Sequence, residues 1–122
     1  MIFEITGIRF QMKGATKDEQ TTKAEQFIDS LTFPCKIRLM REMDNIYSSH
    51  AIAVYRGYKK VGYVSENNTI DLLEACECGQ LSKPLIAQIT GLAGHLSLTG
   101  QVEVPEHSSQ KHNRARVLVS SP

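Results

Sequence analysis

Apolar and polar residues alternate from Cys35 to Arg41: Cys35, Ile37 and Leu39 fall on one face, and Lys36, Arg38 and Met40 on the other. Successive side chains of a strand point to opposite faces, so this pattern predicts a half-buried strand with a basic outer face. Residues 2–10 begin the same way, with Ile2, Glu4 and Thr6 set against Phe3 and Ile5, and predict a first strand in which Gly7 marks a bulge or a close backbone approach. Residues 51–56 and 60–65 read as two strands joined by a tight turn around Gly57. Residues 84–92 and 96–104 read as two more, across Ala93, Gly94 and His95.

Two stretches carry a helical period instead. Thr16 and Glu19 form a T-x-x-E capping box ahead of Ala24, Phe27, Ile28 and Leu31, which recur at helical spacing until Pro34 stops the run. Ser65 caps a second helix, expected to reach Cys78 with Ile70, Leu72, Leu73 and Cys76 inward and Gly79 ending it. After Pro105 the chain is polar, and residues 114–120 could return as a last strand. The organisation expected is one domain over residues 1–104 and a polar tail over 105–122. Six or seven short strands with two helices predict a mainly β, α+β protein: a small OB-like or SH3-like barrel of about six strands. Closure removes the edges that short strands would otherwise expose. Its core is expected to hold Ile37, Leu39, Ile52, Val54, Val61 and Leu73.

Composition changes this picture little. The chain has 122 residues, 41% of them hydrophobic, enough for one core. No apolar run approaches the roughly 18 residues of a membrane span and the start does not read as a secretory leader, so no membrane partner and a cytoplasmic or nuclear location are expected. Three cysteines make an odd count and suggest no disulfide framework. Cys76 and Cys78 lack the second ligand pair that zinc requires, so neither metal nor cofactor is expected.

A net charge of +1 gives no global pull towards nucleic acid, but its distribution does. Lys36, Arg38, Arg41, Arg56, Lys59 and Lys60 lie close together, opposed by Glu42 and Asp44 alone. Such a surface can attract phosphates, or it can be an ordinary solvated strand face. Phe10, Tyr47, Tyr55, Tyr58 and Tyr63 stand in or beside these basic strands. Rings that stack bases beside cations that hold phosphates are what single-strand binding needs. Two or three of these rings can instead fill the barrel; that is the expectation for Tyr55 or Tyr63, whereas Tyr47 sits in a turn.

The stretch RLMREMDNIYSSHAIAVYRGYKKVGYVS, residues 38–65, resembles the HIRAN-domain family. Arg41-Glu42, Asp44-Asn45, Tyr47, Ala51-Ile52-Ala53-Val54 and Val61-Gly62-Tyr63-Val64 stand in the family's order, and Gly7-Ile8-Arg9-Phe10 is similar to its first-strand element. The resemblance covers residues 5–104 apart from the helix near residues 17–31. It implies an OB-like barrel that recognises single-stranded DNA, notably its 3′ end, in DNA repair or remodelling. The implied DNA-binding residues are Arg9, Phe10, Arg41, Asp44, Asn45, Tyr47, Ser48 and Tyr63. Such domains occur fused to helicase-like ATPases and as bacterial modules; this chain has no phosphate-binding Gly-x-x-x-x-Gly-Lys loop, so a motor or other repair protein would be a separate partner.

The sequence departs from the family at four places. Ile46 stands where Pro is usual, Ser48 where many relatives have an aspartate, His50 where asparagine is common, and Glu66 where some carry a lysine. Serine accepts a hydrogen bond without charge, and charge-assisted bonds are roughly twice as strong, so a modest preference for a free 3′-hydroxyl is expected. Catalysis is not expected. Glu42 and Asp44 read as a local salt bridge and Asx turn beside Arg41, and His50, His95, His107 and His112 show no metal spacing. The competing class is a non-catalytic protein-interaction module on the same barrel.

Overall fold

A computed structural model describes residues 1–75 and 83–103. The expectations for Cys76, Cys78, Gly79, the 105–122 tail and its additional strand lie outside these residues. Among the described residues, six strands close into one antiparallel barrel: β1 (Ile2–Thr6), β2 (Cys35–Arg41), β3 (Ile52–Arg56), β4 (Lys59–Val64), β5 (Leu85–Gly94) and β6 (Ser97–Val102). Around the barrel the order is β1-β4-β3-β2-β5-β6, with β6 pairing back onto β1. Helix α1 (Lys17–Asp29) lies between β1 and β2, and α2 (Glu66–Ala75) between β4 and β5. The mainly β barrel read from the sequence is what forms.

The core sits where the alternation puts it. Ile37, Leu39, Ile52, Val54, Val61 and Leu73 are all buried, joined by Ile5, Ile89, Leu98 and Val102 from the remaining strands. The capping box of α1 forms: Thr16 Oγ1 accepts the Glu19 backbone N–H at 3.1 Å and satisfies a donor at the helix start. Ala24 and Ile28 on this helix join the core with Ile8, Met12 and Leu31. At its outer edge Glu25 meets His95 of the β5–β6 turn at 2.6 Å. Helix α2 is tied to β1, for Asn68 Oδ1 accepts the Glu4 backbone N–H and the Ser65 N–H reaches the Glu4 carbonyl.

Two expectations are corrected. The first strand ends at Thr6, not residue 10: Gly7 adopts a positive φ of 72°, and Arg9–Gln11 form one turn of 3-10 helix. A left-handed backbone costs glycine little and other residues more, so the chain turns off the barrel here and carries Phe10 outward. In α2, Ile70 is 45% exposed, not inward, while Thr69, Leu72 and Leu73 are buried. Thr69 satisfies its hydroxyl on the Glu66 carbonyl at 3.1 Å, which lets a polar residue take the inner position.

The barrel is irregular where it matters for the site. Val54 pairs with Gly62 but Tyr55 with Lys60, so Val61 is an extra residue on β4. Residues three apart on a regular strand face opposite ways; the bulge brings Lys60 and Tyr63 to the same outer face. Gly62 lies directly beneath β1, where an added methyl would collide with the Thr6 carbonyl oxygen.

Candidate nucleic-acid interface

The connection between β2 and β3, residues 42–51, is tied down by its own polar groups. The Glu42 N–H donates to the Ala51 carbonyl at 2.8 Å, Asn45 N–H to the Glu42 carbonyl at 3.2 Å, and Ala51 N–H to the Ser48 carbonyl at 3.3 Å. Asn45 Oδ1 accepts the backbone N–H groups of Tyr47 at 2.8 Å and Ser48 at 3.2 Å, an Asx turn. Ser48 Oγ accepts the His50 N–H, and Arg41 Nε reaches the Ser49 carbonyl at 3.3 Å. With its backbone engaged in this way, the loop presents Ile46 and Tyr47 at its tip, each 87% exposed.

Beneath the loop Glu42 is the hub. Its Oε2 pairs with Lys60 Nζ at 2.6 Å, while Oε1 accepts from the Tyr63 hydroxyl at 2.8 Å and from Asn45 Nδ2 at 3.2 Å. Lys60 also donates to the Tyr63 hydroxyl at 3.0 Å. Partial burial pushes the Glu42 carboxyl up, but hydrogen bonds from Lys60, Tyr63 and Asn45 and the charge of Lys60 outweigh it and hold the group below its ordinary value. On the other side the hydrogen bond to Glu42, against the cost of burial, holds the Lys60 ammonium well above its ordinary range. One ion pair thus fixes both the loop, through Asn45, and the orientation of the Tyr63 ring.

Two adjoining hollows open beside this hub. The first, about 200 Å³, lies between Asn45, Tyr47 and Ser48 of the loop and Glu66 and Thr69 of α2. Gly7 and Tyr63 line it and also the second, about 500 Å³, whose outer wall is Phe10. Tyr63 lies against Gly7, where an added methyl would be 3.8 Å from its ring. Phe10 is 69% exposed, and the Arg9 guanidinium stands 4.4 Å from the centre of its ring. Among the described residues lining the two hollows, Glu66 carries the one formal charge, and none is a lysine or arginine.

The structure brings Phe10, Asn45, Tyr47, Ser48 and Tyr63 together as walls of these hollows. Arg9 stands beside them through its contact with Phe10. Arg41 and Asp44 line neither: Arg41 braces the loop at Ser49, and Asp44 is exposed on the turn. The Asx turn belongs to Asn45 and not to Asp44, and the salt bridge of Glu42 runs across the sheet to Lys60 and not to its neighbour Arg41. Neither Tyr55 nor Tyr63 fills the barrel. Both are half-buried on its outside, Tyr55 under the Arg38 guanidinium and Tyr63 in the pocket wall. Within the basic cluster read from the sequence, Lys60 is paired with Glu42, while Arg38 donates to the neutral Gly57 carbonyl and keeps its charge.

Glu42, Lys60 and Thr69 are not expected in the site from the sequence, and Glu66 is read there only as a departure from the family. Glu42 and Tyr63 do fall on one outer face by alternation, because Met40 faces Ala53 and Ala53 faces Tyr63. That signal was readable once the strand order was known. The placing of Lys60 depends on the bulge, which no turn residue announces.

No protein-family model matches the chain, and no curated protein matches it. Among solved structures, the crystal structure of the HIRAN domain of human HLTF superposes with a TM-score of 0.56 at 14% identity, over 91% of this chain and 80% of that one. The chain shares the fold of that HIRAN domain. A crystal structure of a protein from Lactobacillus plantarum shares the same barrel, with a TM-score of 0.56 at 18% identity over 81% of this chain and 85% of that one. Of the elements in this HIRAN-like barrel, the 42–51 loop, the Gly7 turn and the start of α2 build the hollows described above.

Proposed function

We propose that this HIRAN-like barrel is a non-catalytic nucleic-acid-binding module that seats the hydroxyl-terminated 3′ end of a single DNA strand between the 42–51 loop and α2. It would serve DNA repair or remodelling beside a helicase-like ATPase or other repair protein. The observation that carries this reading is the pair of outward rings, Tyr47 and Phe10, standing beside two adjoining hollows lined with hydrogen-bonding groups. A base stacked on an exposed ring contributes about 1–3 kcal/mol whatever its identity. The likeness of residues 7–10 and 41–64 to HIRAN sequences supports the same reading, as does the shared fold.

The inner hollow carries a carboxylate and no cation. A terminal phosphate there would face Glu66 with no counter-charge, whereas a hydroxyl could donate to it. Glu66 therefore supplies, from the opposite wall, the charged acceptor that Ser48 lacks. Titration of a labelled oligonucleotide ending in a 3′-hydroxyl against one ending in a 3′-phosphate tests this. The hydroxyl form binds more tightly, and Glu66→Gln narrows the difference. Equal binding of both ends to the wild type would contradict the assignment of the pocket.

Exposed Met43 and Ile46, at 66% and 87%, favour a second reading, a docking surface for another protein. Salt separates the two: binding to phosphates weakens steeply as salt rises, and an apolar contact does not.

A further inference from the structure

Gln11 separates the Phe10 hollow from a groove of about 540 Å³ and lines both. This groove runs between the 3-10 turn, α1 and the start of β4. Lys13, Lys23 and Lys59 converge on it, and no carboxylate lines it. The Lys59 ammonium stands 4.9 Å from the centre of the Phe27 ring, and none of the three lysines is in an ion pair with a described residue. The contrast with the hub is direct, because there Lys60 is neutralised by Glu42 at 2.6 Å. Three unneutralised ammonium groups on one groove repel one another and hold a positive potential over it, which an anion would relieve.

We infer that this groove is a phosphate-backbone site, which takes the strand as it leaves the tyrosine hollow and passes Gln11. The inference rests on the reading of that hollow as the seat of a single-strand end, and assigns a second contact to it. The chemistry divides along the track. Rings, neutral hydrogen-bonding groups and the Glu66 carboxylate meet bases and the terminal sugar, and lysines meet phosphates. One of the three, Lys23, lies on α1, the part of the chain outside the family resemblance, and Lys13 lies in the segment leading into that helix. The groove therefore lengthens the binding track beyond what the 42–51 loop and Tyr63 can hold.

The test is a pair of titrations, with 5′-labelled oligothymidylates of about three and about twelve nucleotides, lengths that fall below and within the usual span of one small barrel. The wild type binds the longer strand more tightly. A variant combining Lys13→Gln, Lys23→Gln and Lys59→Gln binds the short strand as the wild type does and loses the gain from length. Its plot of log affinity against log salt becomes shallower by about 2, since each phosphate contact to single-stranded DNA contributes about 0.7. Arginine at the same three positions restores both. If the glutamine variant binds the longer strand like the wild type while Tyr47→Ala still weakens the short one, the groove assignment falls and the reading of the hollow stands. If the wild type binds neither strand, both fall. If the lysines matter for poly-glutamate and not for either oligonucleotide, the groove serves an acidic protein and the inference is overturned.

Discussion

Replacing Glu42 with glutamine removes one charge and changes little in shape. Glutamine Oε1 can still accept from Tyr63 and Asn45, but its amide turns two hydrogens towards the Lys60 ammonium where a carboxylate oxygen stood at 2.6 Å. An exposed ion pair contributes about 0.2–1 kcal/mol. A hydrogen bond to a charged group contributes about 1.5–3 kcal/mol. The Lys60 and Glu42 side chains are 28% and 21% exposed, between those regimes, so a loss of about 1–2 kcal/mol is expected. Urea unfolding at neutral pH should show it as a lower midpoint at unchanged slope, because the surface exposed on unfolding is the same. Acid sharpens the test. Since the folded state holds the Glu42 carboxyl below its ordinary value, its stabilisation is present above the unfolded value of about 4.3 and is lost as pH falls through the lower folded value. The glutamine variant should lack that part of the acid loss and converge on the wild type at low pH. At the alkaline end the raised Lys60 contributes stability fully below its unfolded value of about 10.4, lost as pH rises through the folded one. A variant within about 0.5 kcal/mol of the wild type at neutral pH, with the same acid dependence, would refute the role of Glu42 as the hub.

Ile52→Ala empties a fully buried position on β3 and should cost about 2–5 kcal/mol in the same unfolding assay; a cost typical of a surface site would show the strand register to be wrong. Gly62→Ala drives a methyl against the Thr6 carbonyl and should destabilise by about 1–3 kcal/mol, while Gly91→Ala, with open space around the added carbon, should cost less than the Gly62 change.

Much of the barrel was legible because alternation is a local signal. Ile37 and Leu39, Ile52 and Val54 announce their inner face within a few residues, and the Thr16–Glu19 box announces the start of α1. What was missed depends on contacts distant in sequence. The first strand read on to Phe10 because Ile8 continues an apolar pattern, yet a positive φ at Gly7 turns the chain off the sheet. Ile70 looked inward at helical spacing, but Thr69 occupies the inner position once its hydroxyl is satisfied on the helix backbone. The resemblance to HIRAN sequences draws attention to Asn45 and Tyr47, and both line the hollows, as does Ser48, where the sequence departs from the family. Glu42 and Lys60 were not, because their pairing needs the β2–β3–β4 order and a bulge at Val61. Nor does a run of basic residues in sequence make a basic surface. Lys60 is neutralised by Glu42, and the lysines that converge, Lys13, Lys23 and Lys59, come from three separate segments.

The claim at the centre is that the exposed rings beside the 42–51 loop receive the bases of a single strand. Anisotropy of a labelled oligonucleotide with a free 3′-hydroxyl, titrated with wild type and with Tyr47→Ala across a range of salt, measures it directly. The wild type should bind, and the alanine variant should lose about 1–3 kcal/mol at an almost unchanged salt slope, as removal of a stacking contact requires. No binding by the wild type at low salt, or equal binding by both proteins, would contradict the claim and leave Met43 and Ile46 as the surface to follow towards a protein partner.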